Sequence, residues 1–274
     1  MAKKKYEESN IQAIATAIRE KTGTEKTYKV SEMDEGVNEV YEAGKRAQHL
    51  EWWADYLGYT PINRTSKAMY QGFAGYGWDD TTFDPPYDIF VRQSSQMFSY
   101  SFVQDIRGIL KRNNVSIIFD ESQSYFTQHY DLFASSKVKY LPYLKLPKYG
   151  RCYGWFARCD NLIEVDGYEC LENHTFETSS GSNKTFQGCT NLVHIIFHGT
   201  IANDINLQWS TKLDLESLIS LVSCLKLFNS SDSGYKTKTV TLSAESWALL
   251  DTTYSPDGLT YSDVVVSGKG WNRA

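Results

Sequence analysis

With 274 residues, 41% of them apolar and 22% charged, the chain can bury one large core or two modest ones. A formal charge of −5, with Lys3-Lys4-Lys5 as the only basic run and Glu7-Glu8 close behind it, excludes the clustered cations that nucleic-acid binding needs. No apolar run approaches the roughly 18 residues that span a bilayer, and no apolar secretory segment follows the initiator Met, so a soluble product outside the general export route, with no membrane insertion, is expected.

Asn10 is placed to cap a first helix whose Ile11, Ile14 and Ile18 fall on one face, and Gly23 stops it. A second helix is expected from Ser31 to about Tyr56, with Asp34 as a partial capping box and Val37, Val40, Tyr41, Gly44 and Ala47 along one side. Two narrow apolar stripes need a partner, either the body of the protein or a neighbouring subunit. Ile11, Ile14, Ile18, Val37, Val40 and Tyr41 are therefore the candidate attachment or oligomerisation residues of an arm spanning 1–56. Gly58 to Arg64 reads as the exit from that arm. From Tyr70 to Tyr87 the chain is dense in aromatic and turn residues, including Trp78, Asp79-Asp80 and Pro85-Pro86, which suits an irregular N-terminal cap on the next segment.

Sliding the chain against itself then finds four copies of one pattern: MFSYSFVQDI (97–106), LFASSKVKYL (132–141), WFARCDNLIEV (155–165) and TFQGCTNLVHI (185–195). Each carries a Phe, a small or polar turn, and an apolar pair three residues apart. The last two agree best, Phe156, Cys159, Leu162 and Val165 matching Phe186, Cys189, Leu192 and Ile195. The first two have one residue fewer before the apolar pair, and Phe-to-Phe spacings of 35, 23 and 30 make the connecting loops irregular. One strand and one turn cannot bury their apolar side alone, so such units stack, with Phe, Cys and Leu as an internal ladder and loops such as Ser179 to Asn183 projecting outward.

Beyond Gly199, a helix is signalled by Leu213, Leu215, Leu218, Ile219, Val222 and Leu225, a strand by Lys236 to Leu242, and a short helix capped by Ser243 and running through Leu250. This segment, 200–274, is expected to close the open end of the stack.

The sequence carries no catalytic, metal or cofactor motif. Glu164 and Asp166 flank inward Val165 on one expected strand and point together to solvent. A glycoside-hydrolysing pair needs carboxyls about 5 Å or about 6.5–9.5 Å apart across a sugar cleft, and nothing in the sequence argues for the burial that tunes such a pair. His194 and His198 share a strand face but stand about 13 Å apart at ~3.3 Å per residue, too far for one zinc. Five cysteines, Cys152, Cys159, Cys170, Cys189 and Cys224, lack metal or redox spacing and read as buried free thiols of a reducing compartment. Among 19 Tyr and 7 Trp most rings must fill the core; Trp78, Tyr153 and Trp155, beside turn residues, are the candidate receptor-surface rings.

Two stretches carry a resemblance. FARCDNLIEV and FQGCTNLVHIIFHGTI resemble BspA-like leucine-rich repeats, found in bacterial surface proteins and in phage and prophage proteins. IQAIATAIREKTGTEKTYKVSEM (11–33) resembles an N-terminal segment of phage and prophage proteins of Gram-positive hosts, and KLDLESLISLV, KTVTLS and GKGW are similar to the closing segment of the same proteins. The resemblance implies an α+β protein with an N-terminal helical arm (1–56), a short irregular leucine-rich-repeat solenoid with an aromatic N-terminal cap (57–199) and a helix/strand C-terminal cap (200–274). It further implies a non-enzymatic tail, baseplate or head-fibre component of a virion, made in the host bacterial cytoplasm. The implied partners are other virion proteins, further copies of itself (a trimer is one fitting arrangement) and a host cell-surface glycan or protein. Two alternatives stay open: a carbohydrate-cleaving tail enzyme using carboxylates such as Glu164 and Asp166, and a bacterial adhesin-type repeat protein.

Overall fold

A computed structural model describes residue 16 and residues 79–81, 83–85, 88–91, 97–119, 131–145, 153–177 and 184–274. The expected arm helices with Ile11, Ile14, Ile18, Val37, Val40 and Tyr41, the exit at 58–64, Trp78, Cys152 and the loop 179–183 lie outside the described residues. The chain divides into two compact units, Met1–Arg64 and Thr65–Ala274, and the second holds every described residue except Thr16.

In chain order the elements are β1 (Ile89–Val91), α1 (Ile106–Asn113), β2 (Ile117–Phe119), β3 (Tyr140–Lys145), β4 (Glu164–Cys170), β5 (His194–Gly199), β6 (Ile205–Asn206), α2 (Leu215–Cys224), β7 (Thr239–Thr241), α3 (Ala244–Thr252), α4 (Tyr261–Asp263) and β8 (Asn272–Arg273). They form three sheets, β1-β2, β3-β4-β5 and β6-β7-β8, and every strand pair in them is parallel. Parallel neighbours cannot be joined by a hairpin, so the chain must travel round once between strands. Helices and parallel sheets thus share one unit.

The four sequence copies lie on successive rounds of this path. In each, the residue three after the Phe donates its backbone N–H to the Phe carbonyl: Ser101 to Phe98 (3.1 Å), Ser136 to Phe133 (3.0 Å), Cys159 to Phe156 (2.9 Å) and Cys189 to Phe186 (3.2 Å). The residue before it is left-handed each time, at Tyr100, Ser135, Arg158 and Gly188 (φ 60°, 57°, 61° and 78°). Such turns favour glycine there, yet only the last copy has it. The turning residue is small because its side chain faces inward: Ser101, Ser136, Cys159 and Cys189 are all buried. In the later copies its sulfur then finds the neighbouring round, Cys159 Sγ donating to the Phe133 carbonyl at 2.9 Å and Cys189 Sγ to the Phe156 carbonyl at 3.1 Å.

Over these turns the rings stack. Phe98 and Phe133 lie 5.3 Å apart, Phe133 and Phe156 6.0 Å, and Phe156 and Phe186 5.4 Å, with Phe83 set edge-on against Phe98 at 5.6 Å. Phe156, Cys159, Leu162, Val165, Phe186, Cys189, Leu192 and Ile195 are all fully buried, as are their counterparts in the first two copies, including Val103, Ile106, Val138 and Leu141. The missing residue of the early copies leaves the ladder in step. Paired N–H groups converge on one carbonyl of the preceding round in copies two, three and four: Lys139 and Tyr140 on Gln104, Ile163 and Glu164 on Lys139, Val193 and His194 on Ile163. The extra residue of the later copies is absorbed on the outside of the turn, where the Asn191 side chain donates to the Asp160 carbonyl at 2.7 Å.

Two differences from the sequence expectation have physical causes. In the first copy the pattern places the apolar pair Val103/Ile106 on a strand, but Asp105 forms a single bridge with Tyr140 and Ile106 opens α1 instead. Spacing of three fits a helix as well as a turn, and the Asp105 carboxylate caps the helix by accepting the Gly108 N–H at 2.7 Å. At the other end, the apolar spacing places Leu213 inside a helix that starts only at Leu215. Leu213 closes a fifth round: Leu207, Ser210 and Leu213 repeat the spacing of Phe186, Cys189 and Leu192, the Ser210 N–H bonds the Leu207 carbonyl at 2.9 Å, and Ser210 Oγ bonds the Cys189 carbonyl at 3.2 Å.

On both sides of these turns and strands, side chains take up backbone N–H groups. At the N-terminal side the Asp80 carboxylate receives the N–H groups of Gln104 (2.6 Å) and Asp105 (3.3 Å), replacing the carbonyl that an earlier round would supply. At the C-terminal side α2, capped by Asp214, lies against β5, and its Ser217 and Ser220 hydroxyls accept the Ile195 and Phe197 N–H groups at 2.9 and 3.0 Å. Ser243 caps α3 as expected, accepting the Ser246 N–H at 3.1 Å. Trp271, fully buried, ties the tail to this region through its indole N–H and the Lys226 carbonyl at 2.8 Å.

Candidate functional site

Burial along the strands, with alternation broken at Pro142–Tyr143 and Gly167–Tyr168, puts Leu141, Val165 and Ile195 in the core and leaves Tyr140, Tyr143 and Lys145 of β3, Glu164, Asp166 and Glu169 of β4, and His194 and His198 of β5 outside it. Register sets these side by side: Tyr140 opposite Glu164 opposite His194, and Lys145 opposite Glu169 opposite His198. Between Val165 and Tyr168 the pairing of β4 with β5 slips by one residue, a bulge that turns Asp166 outward and leaves Gly167 facing the rings above it.

Glycine is required there by space. A Cβ on Gly167 would sit 2.3 Å from Cδ2 of Tyr143 and 3.2 Å from Nε2 of His198. The two rings close over the bare backbone, their centroids 5.1 Å apart and tilted by 47°. Tyr143 remains 47% exposed, and its hydroxyl donates to Glu169 Oε2 at 3.1 Å. Partial burial and that hydrogen bond raise its phenol above the ordinary value, so the hydroxyl stays a donor at neutral pH.

The expected outward pairing of Glu164 and Asp166 around buried Val165 is present, with a partner that the sequence did not announce. Arg107 of α1 places Nη1 2.8 Å from Glu164 Oε1 and 2.5 Å from Asp166 Oδ1, while its guanidinium lies 5.1 Å from the Tyr140 ring centre. Both carboxylates hold the Arg107 pKa well above its usual value. A cation occupies the space between them, where a carboxyl pair cleaving a glycoside would have to admit sugar and water.

His194 and His198 go to different partners. His194 Nδ1 meets Asp214 Oδ2 at 2.6 Å, and His198 leans on Tyr143. Among the described residues no group of three or more His, Cys, Asp or Glu side chains could hold a metal ion. Asp214 also accepts the Ser217 N–H, and although burial alone would raise its carboxyl, the bonds from Ser217 and His194 outweigh that and hold it below the usual range.

Of the candidate receptor-surface rings, Trp155 requires correction: it is fully buried, edge-on to Phe156 at 6.4 Å and to Tyr168 at 6.0 Å. Alignment of the copies explains why, since the residue before each Phe (Met97, Leu132, Trp155, Thr185) forms a second buried row. Tyr153 is half-buried, and its carbonyl accepts the Asp131 N–H at 3.1 Å. Tyr143 and Arg107 are not singled out by the sequence. The register of YLPYLK with EVDGYEC, both beginning at the repeat strand, is the signal that places Tyr143 opposite a glycine.

Cys159 and Cys189 are buried and free, Cys224 is half-buried and free, and Cys170 is buried. Burial pushes the Cys159 thiol up to about 12 and that of Cys189 well above the ordinary value, so neither supplies a thiolate near neutral pH. In native protein, Cys159 and Cys189 are expected to resist a thiol-specific reagent and to react once urea unfolds the chain; mass-mapped labelling of either thiol in the native state would contradict the buried ladder.

Among the described residues no helix is long and apolar enough to cross a membrane. No protein-family model, no curated protein and no solved structure matches the chain.

Proposed function

We propose that this protein is a non-enzymatic component of a phage virion, attached through residues 1–56 and presenting the outward face of β3-β4-β5 for recognition of a host receptor or a neighbouring subunit. The phage assignment rests on the resemblance of 11–33, of the repeats and of the closing segment to phage and prophage proteins of Gram-positive hosts. What supports a presenting role is the packing itself: a row of buried rings, with buried inert thiols, accompanies a parallel sheet whose outward polar side chains are held by one another. We read the stack as a short leucine-rich-type solenoid of five rounds, irregular in loop length. Arg107 lodged between Glu164 and Asp166 favours this reading over a glycoside-cleaving enzyme.

Deleting residues 1–56 is expected to abolish incorporation into particles while leaving the remaining body folded. Incorporation of the truncated chain at the level of the full chain, measured on purified particles, would overturn the attachment role.

A further inference from the structure

The side chains around Tyr143 give the proposed recognition face a definite chemistry, and this inference rests on that proposed role. The two rings of Tyr143 and His198 form a shelf over Gly167, fixed from below by the lack of a Cβ and from the side by the Tyr143–Glu169 hydrogen bond. Around the shelf several polar atoms hold no hydrogen bond among the described residues: the His198 ring nitrogens, Asp166 Oδ2 and Glu169 Oε1. Their own partners on the opposite side, Arg107 for Asp166 and Tyr143 for Glu169, hold them in place, so a ligand would meet them with little ordering left to do.

Charge narrows the ligand. On the strands Glu164, Asp166 and Glu169 stand against Lys145, with Arg107 of α1 held between the first two, which leaves one carboxylate in excess beside the shelf and favours amines over polyanions. The pattern also separates a sugar from a protein partner. A protein interface centres on a broad apolar patch with a polar rim, whereas here the rings, the Tyr143–His198 pair and Tyr140 beside Arg107, are set directly among hydrogen-bonding groups. A pyranose offers what fits: an apolar C–H face to lie on the rings and equatorial polar groups reaching the carboxylates beside them.

We infer that the Tyr143–His198 shelf with Asp166 and Glu169 is a binding site for a hexosamine glycan, its free amines facing the carboxylates and a sugar face stacked on Tyr143. Calorimetric titration of the full chain with a glucosamine oligomer, an N-acetylglucosamine oligomer, polygalacturonate and a lysine oligopeptide tests it. The glucosamine oligomer is expected to bind about tenfold more tightly than its acetylated form, and polygalacturonate not at all. Tyr143→Ala should weaken the glucosamine oligomer by about tenfold or more, and Tyr143→Phe, which keeps the ring, by much less. No binding of either hexosamine oligomer overturns the site, as does binding that ignores the Tyr143→Ala change. Lysine oligopeptide binding as tight as the glucosamine oligomer overturns it in favour of plain charge attraction or a basic protein partner. Tyr143→Ala chains are expected to enter particles normally, so glycan binding and attachment fail separately.

Discussion

Phe156→Ala is expected to lower folding stability by about 3–5 kcal/mol, the range for truncating a fully buried aromatic side chain. The ring is enclosed on all sides: Phe133 stacks on one face at 6.0 Å, Phe186 lies beyond the other at 5.4 Å, Tyr168 meets it edge-on at 5.5 Å and Trp155 at 6.4 Å. Removing it deletes the shared contact of two neighbouring rounds at once. The surrounding residues cannot collapse inward, because backbone hydrogen bonds on both sides of the turn, from Phe133 N–H to Trp155 and from Phe156 N–H to Thr185, hold the rounds at their spacing. Urea unfolding of the variant against the parent chain measures the loss; a change below about 1 kcal/mol would show that the row of rings is not a continuous packed core.

Gly199→Ala should be nearly as damaging, at about 2–5 kcal/mol from left-handed strain combined with overpacking. Gly199 ends β5 with φ +79°, and an added Cβ would lie 2.1 Å from the Cys170 carbonyl oxygen, a backbone atom that cannot swing aside. That carbonyl already accepts the Thr200 N–H at 3.0 Å, so moving it breaks the link by which the chain leaves the β3-β4-β5 sheet. Gly258 is the control: its φ is +80° but no atom lies within 4 Å of an added Cβ. Gly258→Ala is thus expected to incur only the conformational part, and unfolding midpoints that rank the two variants equally would contradict the steric account.

The turn-and-strand pattern of 155–165 and 185–195 is legible because each inward position carries its own residue type: a large ring, a small thiol, then branched aliphatics. The fifth round is not, since Leu207 and Ser210 replace Phe and Cys, and only the preserved steps from Leu207 to Ser210 and Leu213 betray it. Position along the copy also decides between inside and outside in a way that residue type does not. Trp155 reads as a surface ring beside Gly154, yet it shares a row with Met97 and Leu132. The Tyr143–His198 shelf depends on pairing between segments far apart in sequence and on a one-residue slip against β5, and neither is written in local periodicity. Arg107 is legible only once α1 is known to begin at Ile106, which turns that side chain toward β4.

The hydroxyls of Ser217 and Ser220 have a consequence for what can join the edge of β5. They occupy the donors of β5 to which a further parallel strand would attach, and α2 cannot leave without exposing Ile195 and Phe197 N–H groups to no acceptor. A strand added after Gly199 would therefore find the β5 edge taken, whereas between Phe133 and Phe186 each turn already meets its neighbour through backbone hydrogen bonds. The edge of β5 is thus closed to a further parallel strand as long as α2 stays in place.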